Sequence, residues 1–212
     1  MENDKVLLIG GGGHCSSVLD CLIRCNQYKS IGIVGQNISP ALFPVPIVGN
    51  DTDLPQLFHK GWTNAVIAVG SIGNPIHRRA IYSQLKKIGF VLPVVIDPSA
   101  LIGYDAEIGE GTFVGKQAVI NSRTRIGCCA VINTGACVEH DCVIGDFVHI
   151  SPGCTLCGSV QVGENTHVGA GSVVRQQLEI GCDALIGAGS VVVSHIPDSA
   201  LAFGNPCRIS RK

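Results

Sequence analysis

From Ile102 to Val192 an aliphatic residue stands at every sixth position: Ile102, Ile108, Val114, Ile120, Ile126, Ile132, Val138, Ile144, Ile150, Leu156, Val162, Val168, Val174, Ile180, Ile186 and Val192. The register does not slip in fifteen steps. A period of six is neither that of an amphipathic helix nor that of a half-buried strand. It marks a solenoid in which each hexad supplies one short strand and one corner. The fourth residue after the aliphatic one is usually small, as at Ala106, Thr112, Ala118, Thr124, Ala130, Ala136, Ser172, Ala184 and Ser190, and glycine often follows the aliphatic residue itself. Three hexads close a triangular coil of about 18 residues, and coils stack about 4.8 Å apart, so each wall carries an inward aliphatic column.

Residues 1–95 follow another pattern. The apolar run Lys5 to Ile9 ends in Gly10-Gly11-Gly12-Gly13-His14, and from Ser16 to Cys25 the spacing places Val18, Leu19, Leu22 and Ile23 on one side of a helix. Further strand-like runs lie at Ile31 to Val34, Ala65 to Val69 and Val91 to Ile96, with a helix predicted from Pro75 to about Ile88. This alternation predicts a parallel sheet with helical crossovers, too short for a full dinucleotide domain. The chain therefore divides into an α/β Rossmann-like half-domain, residues 1–95, and a β-solenoid, residues 96–212. The last stretch, Pro197 to Lys212, carries no repeat and predicts a cap.

Composition agrees with that division. Glycine supplies 27 of 212 residues, charged residues only 15% and aromatics 5%, which implies an aliphatic core and tight turns. A formal net charge of -1 gives no electrostatic footprint for nucleic acid or an anionic membrane. No apolar run approaches a membrane span, and Met1 to Lys5 leads straight into a strand rather than a signal peptide, so a cytoplasmic protein is expected. The 11 cysteines are odd in number and scattered, which predicts reduced, packed thiols. Cys154 and Cys157 form a lone C-x-x-C without a second pair, so no zinc site is expected.

The densest polar cluster inside the repeat is Glu139-His140-Asp141, followed by Asp146 and His149. His140 stands two places after the inward Val138, at an outward-facing or corner position. An imidazole there suits a general base, and either Glu139 or Asp141 could hold its tautomer; the bland alternative is a solvated turn. His149 and His167 are 18 residues apart and should fall in one column, either in a ligand groove or as a surface ladder without a role. Gly10-x-Gly12 is an incomplete G-x-G-x-x-G, and Ile33-Val34-Gly35 supplies no acid for the ribose of NAD, which disfavours a dehydrogenase. A glycine loop opening a helix still offers N–H groups to a diphosphate.

The hexads resemble the repeat of left-handed parallel β-helix acyltransferases. The left hand comes from that resemblance, since generic crossover chirality favours the right. Val138-Glu139-His140-Asp141-Cys142-Val143-Ile144-Gly145, with His149 following, resembles the E-H-[DE]-C-x-I-G pattern of the sialic acid O-acetyltransferase and bacillosamine N-acetyltransferase family. That resemblance implies His140 as general base tuned by Asp141, and His149 against acetyl-CoA. It also implies a backbone N–H of Gly158 directed at the thioester oxygen, and Ala170 and Ala188 in the acetyl-CoA site. Gly12, Gly13 and His14 match a family loop that contacts a UDP-sugar, and Gly70 matches a second loop. Gly204-Asn205-Pro206 resembles a segment that closes such helices, whereas Gly35-Gln36 departs from the acidic pair often found after the second strand. The implied activity is transfer of acetyl from acetyl-CoA to the amine of a UDP-4-amino-sugar, for cell-surface glycan synthesis, by a homotrimer without a metal. The alternatives are O-acetylation of sialic acid or another sugar hydroxyl, and a noncatalytic scaffold.

Overall fold

The structure, a computed structural model, describes residues 4–36 and 38–210. Its first part contains β1 (Lys5–Ile9), α1 (Gly13–Cys25), β2 (Ser30–Val34), β3 (Ile47–Gly49), α2 (Leu54–His59), β4 (Asn64–Ile67) and α3 (Ile76–Ile88). The strands pair in parallel in the order β3-β2-β1-β4, which is one half of a doubly wound sheet. Helix α1 begins three residues before the predicted Ser16, because extended Gly12 is its N-cap and a run of glycines carries no periodic signal. β3 and α2 escaped the sequence reading: three and six residues are too short to show a period.

The run Val91 to Ile96 does not form the single strand that its apolar pattern suggests. Val91 makes a lone bridge to Asn64, whereas Val95 and Ile96 pair with Phe113 and Val114 and open the first wall of the solenoid. Every predicted aliphatic position from Ile102 to Val192 is the second residue of a two-residue strand. Three parallel sheets form the walls. The first presents Val95, Phe113, Val131, His149, His167 and Leu185 outward, and the second presents Leu101, Val119, Cys137, Thr155, Val173 and Val191. The third presents Glu107, Arg125, Val143, Gln161 and Glu179.

Corners repeat as strictly as strands. Every sixth residue from Asp105 to Gly189 has a positive φ, and Arg123 (58°) and Asp141 (62°) are among the non-glycines. Side chains are tolerated there because the corner projects outward and its backbone is tied to the next coil: Asp141 N donates to the Ser122 carbonyl at 3.1 Å and Ser159 N to that of His140 at 2.9 Å. Small buried polar residues complete the interior. Thr112 Oγ1 donates to the Gly127 carbonyl at 2.8 Å and accepts from Ala130 N at 3.0 Å, and Thr166 repeats the arrangement with Gly181 and Ala184. Cys142 and Cys154 take the same role, with Sγ donating to the carbonyls of Cys157 and Gly169. All 11 cysteines are unpaired.

The two parts share a core. Val18, Leu19 and Leu22 of α1 pack with Val95, Phe113 and Val131 on the upper first wall. Burial of Phe113 and Val131 stabilises this contact by about 1.5–3 kcal/mol each. On the other side of the sheet, Arg79 of α3 stacks over Phe147 and pairs with Glu164, and Arg78 Nη2 donates to the Cys129 carbonyl at 2.8 Å. At the far end Leu201–Phe203 extends the first wall beside Leu185, and Arg208–Ile209 returns antiparallel to close it.

Candidate active site

His140 follows the second wall at the corner leading to the third, and its neighbour Asp141 takes the left-handed corner conformation. That conformation turns the carboxylate back on the ring, with His140 Nδ1 2.7 Å from Asp141 Oδ2. A carboxylate only accepts, so Nδ1 carries the proton and Nε2 is left basic. The His140 side chain is 58% exposed, so Nε2 is reachable by a substrate. Asp141 is in turn gripped from one coil below: Arg123 Nε and Nη2 donate to its two oxygens at 2.7 and 2.9 Å. The Arg123 fork, helped by the His140 hydrogen bond, lowers the Asp141 pKa to about 2. Glu139, the other candidate partner, is bonded to Asn121 at 2.9 Å and does not touch the ring. Gly158, one coil on, lies beneath the imidazole, and its N–H is taken by no backbone carbonyl among the described residues.

A second centre lies between the two parts of the chain. Gly13, His14 and Ser17 of α1, the loop Gly70-Ser71-Ile72 after β4, and the first wall around Asn133 and His149 enclose a cleft of 560 Å³. It continues past Ile72, His149 and Pro152 into a groove of 440 Å³, lined by His167, Ala170, Ala188 and Leu201. His149 divides the two. Its Nδ1 donates to the Ser71 carbonyl at 2.9 Å, and its Nε2 faces the Asn133 amide at 3.3 Å, so both nitrogens are occupied. Burial holds its pKa below the ordinary histidine value. His167 stacks edge-on at 4.8 Å from His149, as the 18-residue separation predicts. It is buried rather than part of a surface ladder, and burial lowers its pKa to about 4. His14 packs edge-on to Phe113, and burial, with Arg78 nearby, lowers its pKa to about 4 as well.

The glycines of the loop have distinct reasons. A Cβ at Gly12 or Gly13 would meet nothing, so the fold does not demand glycine there and the space in front is open. At Gly70 a Cβ would touch His14 Cβ at 3.6 Å, an ordinary contact. The structure thus gathers Gly13, His14 and Gly70 in one cleft, with Gly12 as the helix cap behind them, and His149, Ala170 and Ala188 in the adjoining groove. His140, Asp141 and Gly158 form a separate group on another corner of the same chain. Among the described residues, no three metal-ligating side chains converge.

Residues 5–85 match the PglD N-terminal domain and residues 141–176 the bacterial transferase hexapeptide (six repeats). Across 98% of this chain, and 97% of the other, the structure superposes on perosamine N-acetyltransferase from Caulobacter crescentus, in complex with CoA and GDP-perosamine, with a TM-score of 0.92 and 37% identity. The acetyltransferase domain of PglB from Neisseria gonorrhoeae, in complex with acetyl coenzyme A, matches over 98% of this chain and all of the other, at a TM-score of 0.92 and 34% identity. This chain belongs to the left-handed β-helix sugar acetyltransferases. WeeI from Acinetobacter baumannii is similar at 26% identity, covering 97% of this chain and 99% of that one, with a TM-score of 0.87.

For a sugar acetyltransferase the sequence reading overlooked Arg123, Asn133 and Ser71. Arg123 was accessible, because it precedes Asp141 by one coil of 18 residues and column partners touch. Ser71 was not, because it acts through its backbone carbonyl from the other domain.

Proposed function

We infer that this chain transfers the acetyl group of acetyl-CoA to the amine of a nucleotide-linked amino sugar. The observation that carries the reading is the Arg123–Asp141–His140 chain, which leaves one imidazole nitrogen basic, oriented and exposed. The amine attacks the thioester carbonyl, its proton passes to His140 Nε2, and collapse of the tetrahedral intermediate expels the CoA thiolate, which recovers that proton. Gly158 N–H is the donor for the oxyanion. Acetyl-CoA occupies the groove along Ala170 and Ala188 with His149 beside it. The nucleotide sugar lies in the cleft at Gly13, His14 and Gly70, with its phosphates toward the N-terminus of α1.

Within one chain His140 lines neither the cleft nor the groove. We therefore propose a cyclic trimer in which the corner of one copy completes the groove of the next. The second wall supports this, since its outward column of Leu101, Val119, Cys137, Thr155, Val173 and Val191 is free of charge, and Leu101 is 67% exposed in the single chain. Unpaired thiols throughout and the lack of any described helix able to cross a membrane fit a cytoplasmic location.

The test is thiol release from acetyl-CoA with a panel of UDP- and GDP-linked amino sugars and free sialic acids. Turnover on a nucleotide amino sugar is the expected result. Turnover on sialic acid alone would replace this reading by O-acetylation.

A further inference from the structure

A third cavity lies at the carboxyl ends of the parallel strands. Gly10 and Gly11 after β1, Gly35 and Gln36 after β2, and Val69 beyond β4 line a cleft of 300 Å³ together with Asp51. Ligands of open parallel sheets bind at this edge, and the acid that holds a ribose usually ends the second strand. Here that position is a glycine overlain by the tip of Ile38. A Cβ at Gly35 would stand 2.8 Å from Ile38 Cδ1, and one at Gly11 would stand 2.5 Å from the same atom. Ile38 thus covers both glycines.

The neighbouring strand supplies an acid instead. β3 runs parallel beside β2, with Gly35 N donating to the Gly49 carbonyl at 3.1 Å, and the chain turns at Asn50 directly into Asp51. The other polar side chains of this turn are engaged in it: Asn50 accepts from Thr52 N, and Asp53 accepts from Asn50 N, each at 2.9 Å. The Asp51 backbone is held by Gln84, which donates to its carbonyl at 3.3 Å, while its carboxylate has no partner among the described residues. It is the one carboxylate lining the cleft. The Gly10–Gly13 loop separates this cleft from the 560 Å³ cleft, so a diphosphate crossing the N-terminus of α1 would place a nucleoside at Asp51 and a sugar at His14.

We propose that Asp51 accepts the hydrogen bonds of the nucleotide's ribose hydroxyls, in place of the acid that Gly35-Gln36 does not supply at the end of β2. The proposal rests on the nucleotide-sugar reading above. Because the ribose is common to all nucleotides, the contact is indifferent to the base.

Calorimetry on the full chain tests it, with UDP, GDP and 2′,3′-dideoxyuridine diphosphate as probes. The wild type should bind UDP and GDP and lose affinity for the dideoxy probe. Asp51→Ala should weaken UDP and GDP alike, by about 10- to 100-fold, and should no longer distinguish UDP from the dideoxy probe. Its affinity for acetyl-CoA should stay at the wild-type value. Unchanged UDP binding in Asp51→Ala, a loss confined to GDP, or a parallel loss of acetyl-CoA overturns the proposal and leaves the acetyl-transfer reading standing. A wild-type chain that binds neither nucleotide overturns both.

Discussion

A Cβ placed on Gly158 would stand 2.7 Å from His140 Cε1 and 2.8 Å from Nε2, so the imidazole rests against a glycine one coil away. Glycine is required there by the ring and not by the backbone, since Gly158 is not among the residues with positive φ. Gly158→Ala should push the imidazole off its position. The expected result is a fall in kcat of about 100-fold, in line with the sensitivity of proton transfer to small misplacements, with little change in Tm. A mutant with wild-type kcat would show that the observed ring position is not the reactive one.

The pairs Arg123–Asp141 and Asp141–His140 predict a graded series. His140→Asn should lower kcat by about two to four orders of magnitude, with acetyl-CoA binding unchanged. Asp141→Asn should lose less, because the ring remains and only its anionic partner goes. Arg123→Ala should lose least, about tenfold, because Asp141 stays ionised at neutral pH and is merely less well held. Steady-state kinetics on the three variants measures the order, and an Arg123 effect larger than that of His140 would contradict the roles assigned.

Stability should depend on pH through buried histidines. The pKa values of His14 and His167 are lowered to about 4, and that of His149 is lowered as well. Between the unfolded value near 6.5 and about 4, the unfolded chain binds the extra protons, so stability is fully present above pH 6.5 and declines as pH falls. The slope is up to about 1.4 kcal/mol per pH unit for each histidine. Asp141 acts in a lower window, between its ordinary value and about 2, and does not contribute here. Thermal melts from pH 8 to pH 5 should show the decline, and His167→Asn should make it shallower. An unaltered slope would remove His167 from the account.

How much of this could be read from the chain depended on repetition. Ile102 through Val192 declared every strand from Leu101 to Val192, because one backbone conformation recurs and its inward position admits only aliphatic residues. The His149–His167 contact followed from arithmetic on the same period. The same period pairs Asn121 with Glu139 and Arg123 with Asp141, but which of the two acids turns back on the ring rests on side-chain geometry that leaves no pattern in the chain. The separation of His140 from the groove of its own chain was hidden for a related reason: residues close in sequence can lie on different corners of a triangle.

The uncharged second wall predicts an association that charge should break. Val173, 39% exposed, stands outward on that wall. Val173→Glu should therefore give a folded chain that sediments as a monomer and has lost acetyl transfer while still binding nucleotide. A monomeric variant with full activity would place the whole reaction within one chain.

The coils that stack beneath the N-terminal domain set a scale of length as well as a shape. Arg123, Asp141 and Gly158 occupy successive coils at one corner, and the α/β domain is docked on fixed coils of another wall. The height of the basic nitrogen along the solenoid axis, measured from that domain, can therefore change only by whole coils, in steps of about 4.8 Å. Insertion of one 18-residue coil between Val131 and Val138, itself carrying an arginine in the column of Arg123, would move the His140–Asp141 pair by one such step and leave every corner conformation intact. Chains built on this plan can thus match acceptors of different length by counting coils, without redesigning the residues that do the chemistry.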